Sequence, residues 1–566
     1  MECKKEHYAG RSCTGLKLWV GIPTAHSVIA IAVAVVASGA HADTIETGNP
    51  DLTVRWDNTV KYSAAQRLDA PLGVLIADPN SDDGDRNFKK NGLISSRFDL
   101  FSELDIVYRK NMGFRMSAAA WYDSVYLRSN ANPGFQGGAF PNQTSVAYNQ
   151  FTRPTRDVHG RDAEVLDAFV FAKFDLGGFG TTVRAGRHSL LWGESVFFGG
   201  NAISGGQMPV DVVKLLSVPA TQFKEAIRPV PMLSGQVQIN PNVSVGAYIQ
   251  TSESVSRIPA SGSYFSNSDL VVDGAENLLL GPGVVPAVRL PDMRAKRWGQ
   301  GGVQVKLRDN DVDYGFYAIQ FHDKAPQVVP NISLTPGGPA PISYYLAYHE
   351  NIKALGASVS KTFGDYNIAT ELSFHSNQDL ASTQGVDVSA FTPAPPTNNS
   401  NNPGYAIGRT AHLNVSVLGN VAATALWKEA SLVGEIAWNR VLSVTRNAAA
   451  IDPRGTRDGV ALRVLFEPMY RSVLSGLDVG VPIGVGYAPK GSRPLAMNPN
   501  AWIPEGGGDI SIGLNGTYLD AWRASLTYTH YYGSAAPLTG GAYNAYTWKQ
   551  TRRDRDFIAF SARYTF

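Results

Sequence analysis

The chain has 566 residues, 44% hydrophobic and 17% charged, with a formal net charge of +2 and a mean hydropathy of −0.13. Near-neutral charge gives no footing for a nucleic-acid partner, and no run of eighteen or so apolar residues follows the N-terminal region, which excludes a bundle of membrane helices. Both cysteines, Cys3 and Cys13, precede residue 43, so the rest of the chain has no disulfide, thiolate metal site or cysteine nucleophile.

Lys4, Lys5, Arg11 and Lys17 precede the apolar run from Val28 to Ala37, and Ala40-His41-Ala42 supplies small residues before Asp43. This order reads as a secretory signal peptide over 1–42. Its apolar run is too short to span a bilayer as a helix. From Leu52 the pattern changes to a period of two: Leu52, Val54, Trp56, Val60 and Tyr62 share one parity, and Thr53, Arg55, Asp57, Thr59 and Lys61 the other. Eleven such residues suffice for a tilted barrel strand.

The stretch Asp78-Pro79-Asn80-Ser81-Asp82-Asp83-Gly84-Asp85 carries the first half of a calcium-loop spacing. It departs from the EF-hand, because Asp83 stands where the turn wants Gly and Lys89 where a bidentate Glu is expected. The expectation is a solvated acidic loop, with an extracellular loop that binds divalent ions loosely as the lesser alternative and no metal role assigned. Phe98, Leu100, Leu104, Ile106 and Tyr108 then oppose Arg97, Asp99, Glu103 and Asp105; after the connector 109–113, Phe114, Met116, Ala118, Ala120 and Tyr122 oppose Arg115, Ser117, Trp121 and Asp123. That pair is a hairpin.

Further on, short connectors at 177–180, 240–242, 308–311, 363–365 and 519–521 alternate with long stretches rich in Pro, Gly, Asn and Ser. Tight turns on one side and long loops on the other are the asymmetry of a Gram-negative outer-membrane barrel, with short periplasmic turns and extended extracellular loops. The fold predicted for 43–566 is therefore a single all-β domain, a transmembrane antiparallel barrel of about eighteen strands. Sixteen is the competing count, since 343–362 and 418–441 divide in more than one way. Glycine, tyrosine, phenylalanine and tryptophan, at 56, 24, 24 and 10, serve turns and interface girdles. No fixed repeat argues for a propeller or solenoid.

The longest connector dense in charge and proline is 193–230, holding Glu194, Asp211, Lys214, Lys224, Glu225 and Arg228. Its local helical spacing suits a segment folded into the lumen as a constriction, its charges paired to arginines on the wall. The alternative is a solvated surface loop. Arg184 and Arg187 have opposite parity, so in an unbulged strand only one points inward. Either can act as a selectivity arginine, and an ion pair with Glu194 is the plainer role. Trp192 reads as a girdle aromatic rather than a stacking platform. At the C-terminus Phe566, Tyr564, Ala562, Phe560 and Ile558 oppose Thr565, Arg563 and Ser561, and the chain stops on the aromatic. Phe566, Tyr564 and Phe560 resemble the signal that the bacterial barrel-assembly machinery reads.

Arg184-Ala185-Gly186-Arg187, Trp192-Gly193-Glu194-Ser195, Met208-Pro209-Val210-Asp211-Val212, Phe223-Lys224-Glu225-Ala226 and Pro229-Val230-Pro231-Met232 form one motif cluster. With Tyr314-Gly315-Phe316-Tyr317, Thr370-Glu371-Leu372-Ser373-Phe374, Val433-Gly434-Glu435-Ile436 and Arg553-Asp554-Arg555-Asp556-Phe557, they resemble a large proteobacterial family of outer-membrane proteins catalogued only as a domain of unknown function. The resemblance covers nearly all of the exported chain. It implies a porin-like barrel that handles hydrophobic compounds of a catabolic pathway, with an envelope exporter of the resistance–nodulation superfamily as a partner.

No G-x-S-x-G elbow, H-E-x-x-H or haem attachment motif is present, so no catalytic residue, metal or cofactor is assigned and a non-enzyme is expected. The reading is an outer-membrane channel or transporter for small, hydrophobic organic compounds, surrounded by outer-membrane lipids and lipopolysaccharide. No plug segment precedes Leu52 for an energy-coupling partner to pull. A surface adhesin or scaffold would work through its long loops and conduct little; an outer-membrane hydrolase would lose activity on a single His or Ser substitution.

Overall fold

The computed structural model describes residues 44–135, 141–217, 226–271, 273–491, 502–540 and 545–566. The signal-peptide expectation over 1–42 falls outside them. Eighteen strands form one closed antiparallel barrel. They are β1 (Leu52–Arg67), β2 (Leu93–Tyr108), β3 (Met112–Asp123), β4 (Arg161–Leu176), β5 (Phe179–His188), β6 (Val230–Asn240), β7 (Val243–Gln250), β8 (Gly301–Asp309) and β9 (Val312–Phe321). The second half comprises β10 (Ile352–Phe363), β11 (Tyr366–Asp379), β12 (Ile407–Val421), β13 (Glu429–Arg446), β14 (Asp458–Leu474), β15 (Leu477–Gly480 continued by Ile483–Lys490), β16 (Gly508–Tyr518), β17 (Trp522–Tyr532) and β18 (Phe557–Thr565). The count is eighteen and not sixteen: 407–421 and 429–446 are separate barrel strands, and 352–363 joins the barrel while 338–347 belongs to a separate sheet.

Each strand pairs with its neighbours in sequence, and β18 returns to β1 in register from Thr59↔Thr565 to Arg67↔Phe557. Asn58 and Phe566 extend the seam by exchanging backbone hydrogen bonds of 2.8 and 2.9 Å. Closure leaves no barrel edge with unpaired backbone groups, the condition for spanning a bilayer with strands.

The two parities face two solvents. Cross-strand pairs such as Val305↔Phe316, Leu355↔Phe374, Val415↔Ile436 and Leu514↔Leu526 lie on the outer surface with their apolar side chains exposed. An apolar belt of that extent suits lipid and is ruinous in water. The opposite parity of β1 and β2, with Asp57, Lys61, Arg97, Asp99, Glu103 and Asp105, faces the lumen.

The hairpin read over 97–123 is observed, from Arg97↔Asp123 to Tyr108↔Met112. At the end of the barrel where β1 begins and β18 ends the turns are short. Gly177 and Gly178 have φ of 64° and 92°, the left-handed pair that a two-residue hairpin turn requires and that costs glycine little. At the other end rise the loops L1 (68–92), L2 (124–160), L3 (189–229), L4 (251–300), L5 (322–351), L6 (380–406), L7 (447–457), L8 (491–507) and L9 (533–556). L5 contains a hairpin of its own (Gln327–Thr335 with Gly338–Ala347), so the start of the 343–362 stretch pairs within a loop and not in the barrel wall. The Pro- and Gly-rich composition concealed this hairpin. The loops pack on one another rather than in solvent: Phe88 of L1, Tyr126 and Phe151 of L2, and Tyr264 and Phe265 of L4 form one apolar cluster with Tyr531 and Phe557 at the strand ends.

Candidate functional site

In its described residues (189–217 and 226–229) L3 lies inside the barrel against the wall formed by β6 to β13, with Phe197 and Phe198 reaching on to Ala461 of β14 and Ala488 of β15. Two kinds of contact hold it. Trp192, Ile203 and Met208 pack on lumen-facing Tyr248, Tyr317, Ile319 and Phe321. Beyond them two wall carboxylates, Glu371 and Glu435, each 2% exposed, accept hydrogen bonds from the loop backbone.

Glu371 on β11 accepts the N–H groups of Glu194 at 2.8 Å and Ile203 at 2.7 Å. Glu435 on β13 accepts the Ser195 hydroxyl at 2.7 Å and the N–H groups of Val196 at 3.1 Å, Phe198 at 2.9 Å and Phe197. Asn414 on β12 adds its side-chain amide to Glu435 at 2.7 Å. Irregular backbone inside a barrel has no ladder partner, so its donors must find acceptors on the wall. An ionised carboxylate can accept several. Gly193 explains the Trp-Gly-Glu order: its φ is +90°, and a Cβ there would stand 2.2 Å from the Glu371 carboxylate. No side chain fits.

L3 therefore buries one wall and leaves the other. Lumen-facing Ser244, Gln304, Ser358, Glu371, Asn414 and Glu435 of β7 to β13 are all buried. On β1 to β5 and β14 to β18 the lumen face is charged and at least partly exposed in many places. Lys61 pairs with Asp99 at 3.5 Å, and Arg115 with Glu103 at 2.5 Å and Asp105 at 3.4 Å. Register sets three cations side by side, Lys61 opposite Arg563 and Arg563 opposite Arg523. Like charges directly across a ladder destabilise it. Phe101, Phe169 and Phe171 share this lumen strip, and the Arg184 guanidinium sits 5.9 Å from the Phe169 ring centre.

The residues singled out from sequence are dispersed. Arg184 is on the lumen face of β5, whereas Arg187 donates to the Pro229 carbonyl at 3.2 Å where L3 rejoins β6. Among the described residues neither pairs with Glu194, because L3 carries Glu194 to β11 and β12, where Ser416 donates to its carbonyl at 3.1 Å. Trp192 is not a girdle residue; it is 3% exposed inside the barrel, edge-on to Tyr248 at 5.0 Å. Asp211 precedes the short helix Val212–Ser217, caps Lys214 N–H at 3.0 Å, and pairs with Arg257 of L4 at 3.0 Å. Lys214 is exposed on that helix. Arg257 and Arg228 both reach Glu164 on β4, at 2.7 and 2.8 Å. Lys224 and Glu225 lie outside the described residues. Phe560 and Tyr564 face outward on β18, and Phe566 stacks on Tyr564 at 5.7 Å.

The solvated reading of 78–85 does not hold, since Asp82, Asp83 and Asp85 are buried among L2, L4 and L9. Asp85 pairs with Arg67 at 3.1 Å and Arg555 at 2.9 Å, and Arg67 with Asp554 at 3.2 Å, a clasp over the β1–β18 seam. Burial alone would raise Asp85, but Arg555 and Arg67 outweigh it and hold the carboxyl below its usual range. Burial, and then the charge of Asp85, pushes Asp554 up to about 7. The motif Arg553-Asp554-Arg555-Asp556 had drawn notice only as part of a resemblance. Its partner Asp85 is 470 residues away along the chain from Arg555, which no local pattern reveals.

The family described as "Protein of unknown function (DUF1302)" matches residues 24–566. No curated protein matches the chain. Solved structures of similar fold include OpdK of Pseudomonas aeruginosa with vanillate, at 10% identity and TM-score 0.38, covering 91% of this chain and 98% of that one. OccAB1 of Acinetobacter baumannii matches at 9% identity and TM-score 0.40, covering 93% and 98%. OmpT of Vibrio cholerae matches at 10% and 0.36, covering 91% and 99%.

Proposed function

Because this chain belongs to the DUF1302 family, whose description names no activity, its function is read from the barrel itself, and we infer that it is a passive outer-membrane channel for small organic compounds. A closed barrel with an apolar outer belt belongs in the outer membrane of a Gram-negative bacterium. One observation carries the channel reading: L3 seals the polar wall from β7 to β13, while the opposite wall keeps charged side chains at least partly in contact with water. A scaffold has no use for a row of cations kept at a water-contacting inner wall.

L3 sets the cross-section and the charged strip sets polarity, the division of labour between size and field in a selective pore. Phe101, Phe169 and Phe171 give an apolar body a surface to follow, and the flanking charges orient a polar end. The compounds that suit this lining are hydrophobic in bulk with a polar or ionised group. The link to a catabolic pathway rests on the family resemblance. The role is binding and passage, without chemistry on the substrate.

Reconstitution of the purified protein into planar bilayers tests the reading. Discrete, ion-selective conductance steps are expected. A protein inserted with verified barrel structure that stays silent at all voltages, and whose deletion leaves uptake of such compounds unchanged, removes the channel reading.

A further inference from the structure

Above the outer end of the barrel the loops bring three aspartates together, well apart from the lumen strip. Asp82 and Asp83 come from L1 and Asp269 from L4, and one carboxylate oxygen of each lies within 4.8 Å of the others. Their exposures are 1%, 4% and 0%. The protein compensates only part of this charge. Arg86 pairs with Asp82, while Arg67 and Arg555 are committed to Asp85 and Asp554.

The donors that reach Asp83 and Asp269 among the described residues are neutral. Asn132 Nδ2 stands 3.3 Å from Asp83, the Asn142 backbone N–H also bonds Asp83, and the Asp83 N–H donates to Asp269 at 3.1 Å. Two buried carboxylates without a cation are costly unless they take up protons or bind a metal.

A second observation comes from outside the acidic set. Asn142 of L2 is 1% exposed and gives its Nδ2 to Asn80 Oδ1 at 2.9 Å and the Asn277 carbonyl at 3.1 Å, yet its Oδ1 meets no donor. Asp82 Oδ1 meets none either. Those Nδ2 contacts fix which way the amide points, so the lone oxygen is not an inverted assignment. A native protein seldom seals two such acceptors from water beside uncompensated acids without something positive to satisfy them.

We propose that Asp82, Asp83 and Asp269, with Asn142, bind a divalent cation at the junction of L1, L2 and L4, and that the ion is calcium. The donors are all hard oxygens, with no imidazole or thiolate, which selects calcium or magnesium over transition metals. Side chains gathered from three loops fit the larger ion, which takes six to eight oxygens in irregular geometry, better than magnesium, which demands a near-ideal octahedron. The site draws its ligands from L1, L2 and L4, and filling it ties three loops into one cap. Burial, and then the charge of Asp82, pushes Asp83 up to about 7, and burial drives Asp269 well above the carboxylate range.

Full-length protein in detergent, stripped with EDTA and returned to neutral pH, is titrated with calcium chloride by calorimetry, with terbium luminescence as a second readout. One saturable site per chain is expected, along with slower proteolysis within L1 and L4 when it is filled. Asp269→Asn and Asp83→Asn lose saturable binding while retaining the strand circular dichroism and the heat-modifiable gel mobility of a folded barrel. Should either variant fail to fold, wild-type stoichiometry decides. Wild type with no saturable calcium binding, or a folded Asp269→Asn that binds as tightly as wild type, overturns the site.

Discussion

Removing the Glu435 carboxylate tests whether L3 is held where it lies by wall carboxylates. In Glu435→Ala the N–H groups of Val196, Phe197 and Phe198 lose their shared acceptor, and Ser195 and Asn414 each lose a partner. A buried donor left unsatisfied costs about 1–3 kcal/mol. Taking the lower bound for the three backbone donors alone gives about 3 kcal/mol, or roughly a hundredfold in the equilibrium for local opening. Glu435→Gln keeps one acceptor oxygen but turns amide hydrogens toward other donors, so it falls between the two. Hydrogen exchange reads the effect without any assumption about transport: protection of the 196–198 amides drops by about two orders of magnitude in the alanine variant, with the strand amides unchanged. In bilayers the same variant gives larger, noisier conductance steps. Wild-type protection at these amides in both variants would refute the claim that Glu435 anchors the loop.

Three further outcomes follow from the same geometry. Asp85→Asn strips the charge that compensates Arg67 and Arg555, both with side chains no more than 1% exposed; breaking a buried pair costs about 3–5 kcal/mol, so the temperature at which the folded gel band disappears should fall, and an unchanged temperature counts against the clasp. Asp554 has a folded value near 7 against an ordinary 3.8, so its contribution is fully present below about pH 3.8 and is lost as pH rises through about 7. Proteolysis of L9 should accelerate across that window, and Asp554→Asn should flatten the profile. Finally, Arg523→Glu breaks the row of Lys61, Arg563 and Arg523; bilayer reversal potentials should shift toward cations, and an unchanged potential would mean that ions do not pass along this strip.

How much of this was legible in the chain depends on which solvent each residue meets. The barrel was readable because every strand divides lipid from lumen, and that division is written at adjacent positions: Leu100 against Asp99 and Phe560 against Ser561 need no knowledge of the rest of the molecule. The loops obey no such rule. Asp82, Asp83 and Asp85 look like solvated turn residues, and become buried only because Asp269, Asn142 and Arg555, distant in sequence, fold over them. Trp192 misled for the same reason, since a lone tryptophan beside a strand suits an interface girdle as well as the packing of an inserted loop. Glu371 carried a signal for that insertion. Glu371 is an acid on a lumen-facing parity of a strand that holds no Lys or Arg, which leaves backbone donors from elsewhere as its natural partners; Glu435 gives no such sign, since Arg440 and Arg446 share its strand and Arg463 is its register partner. A wall acid without a local cation is therefore the feature by which inserted loops can be sought in other barrels, and it points to the strands against which the loop will lie.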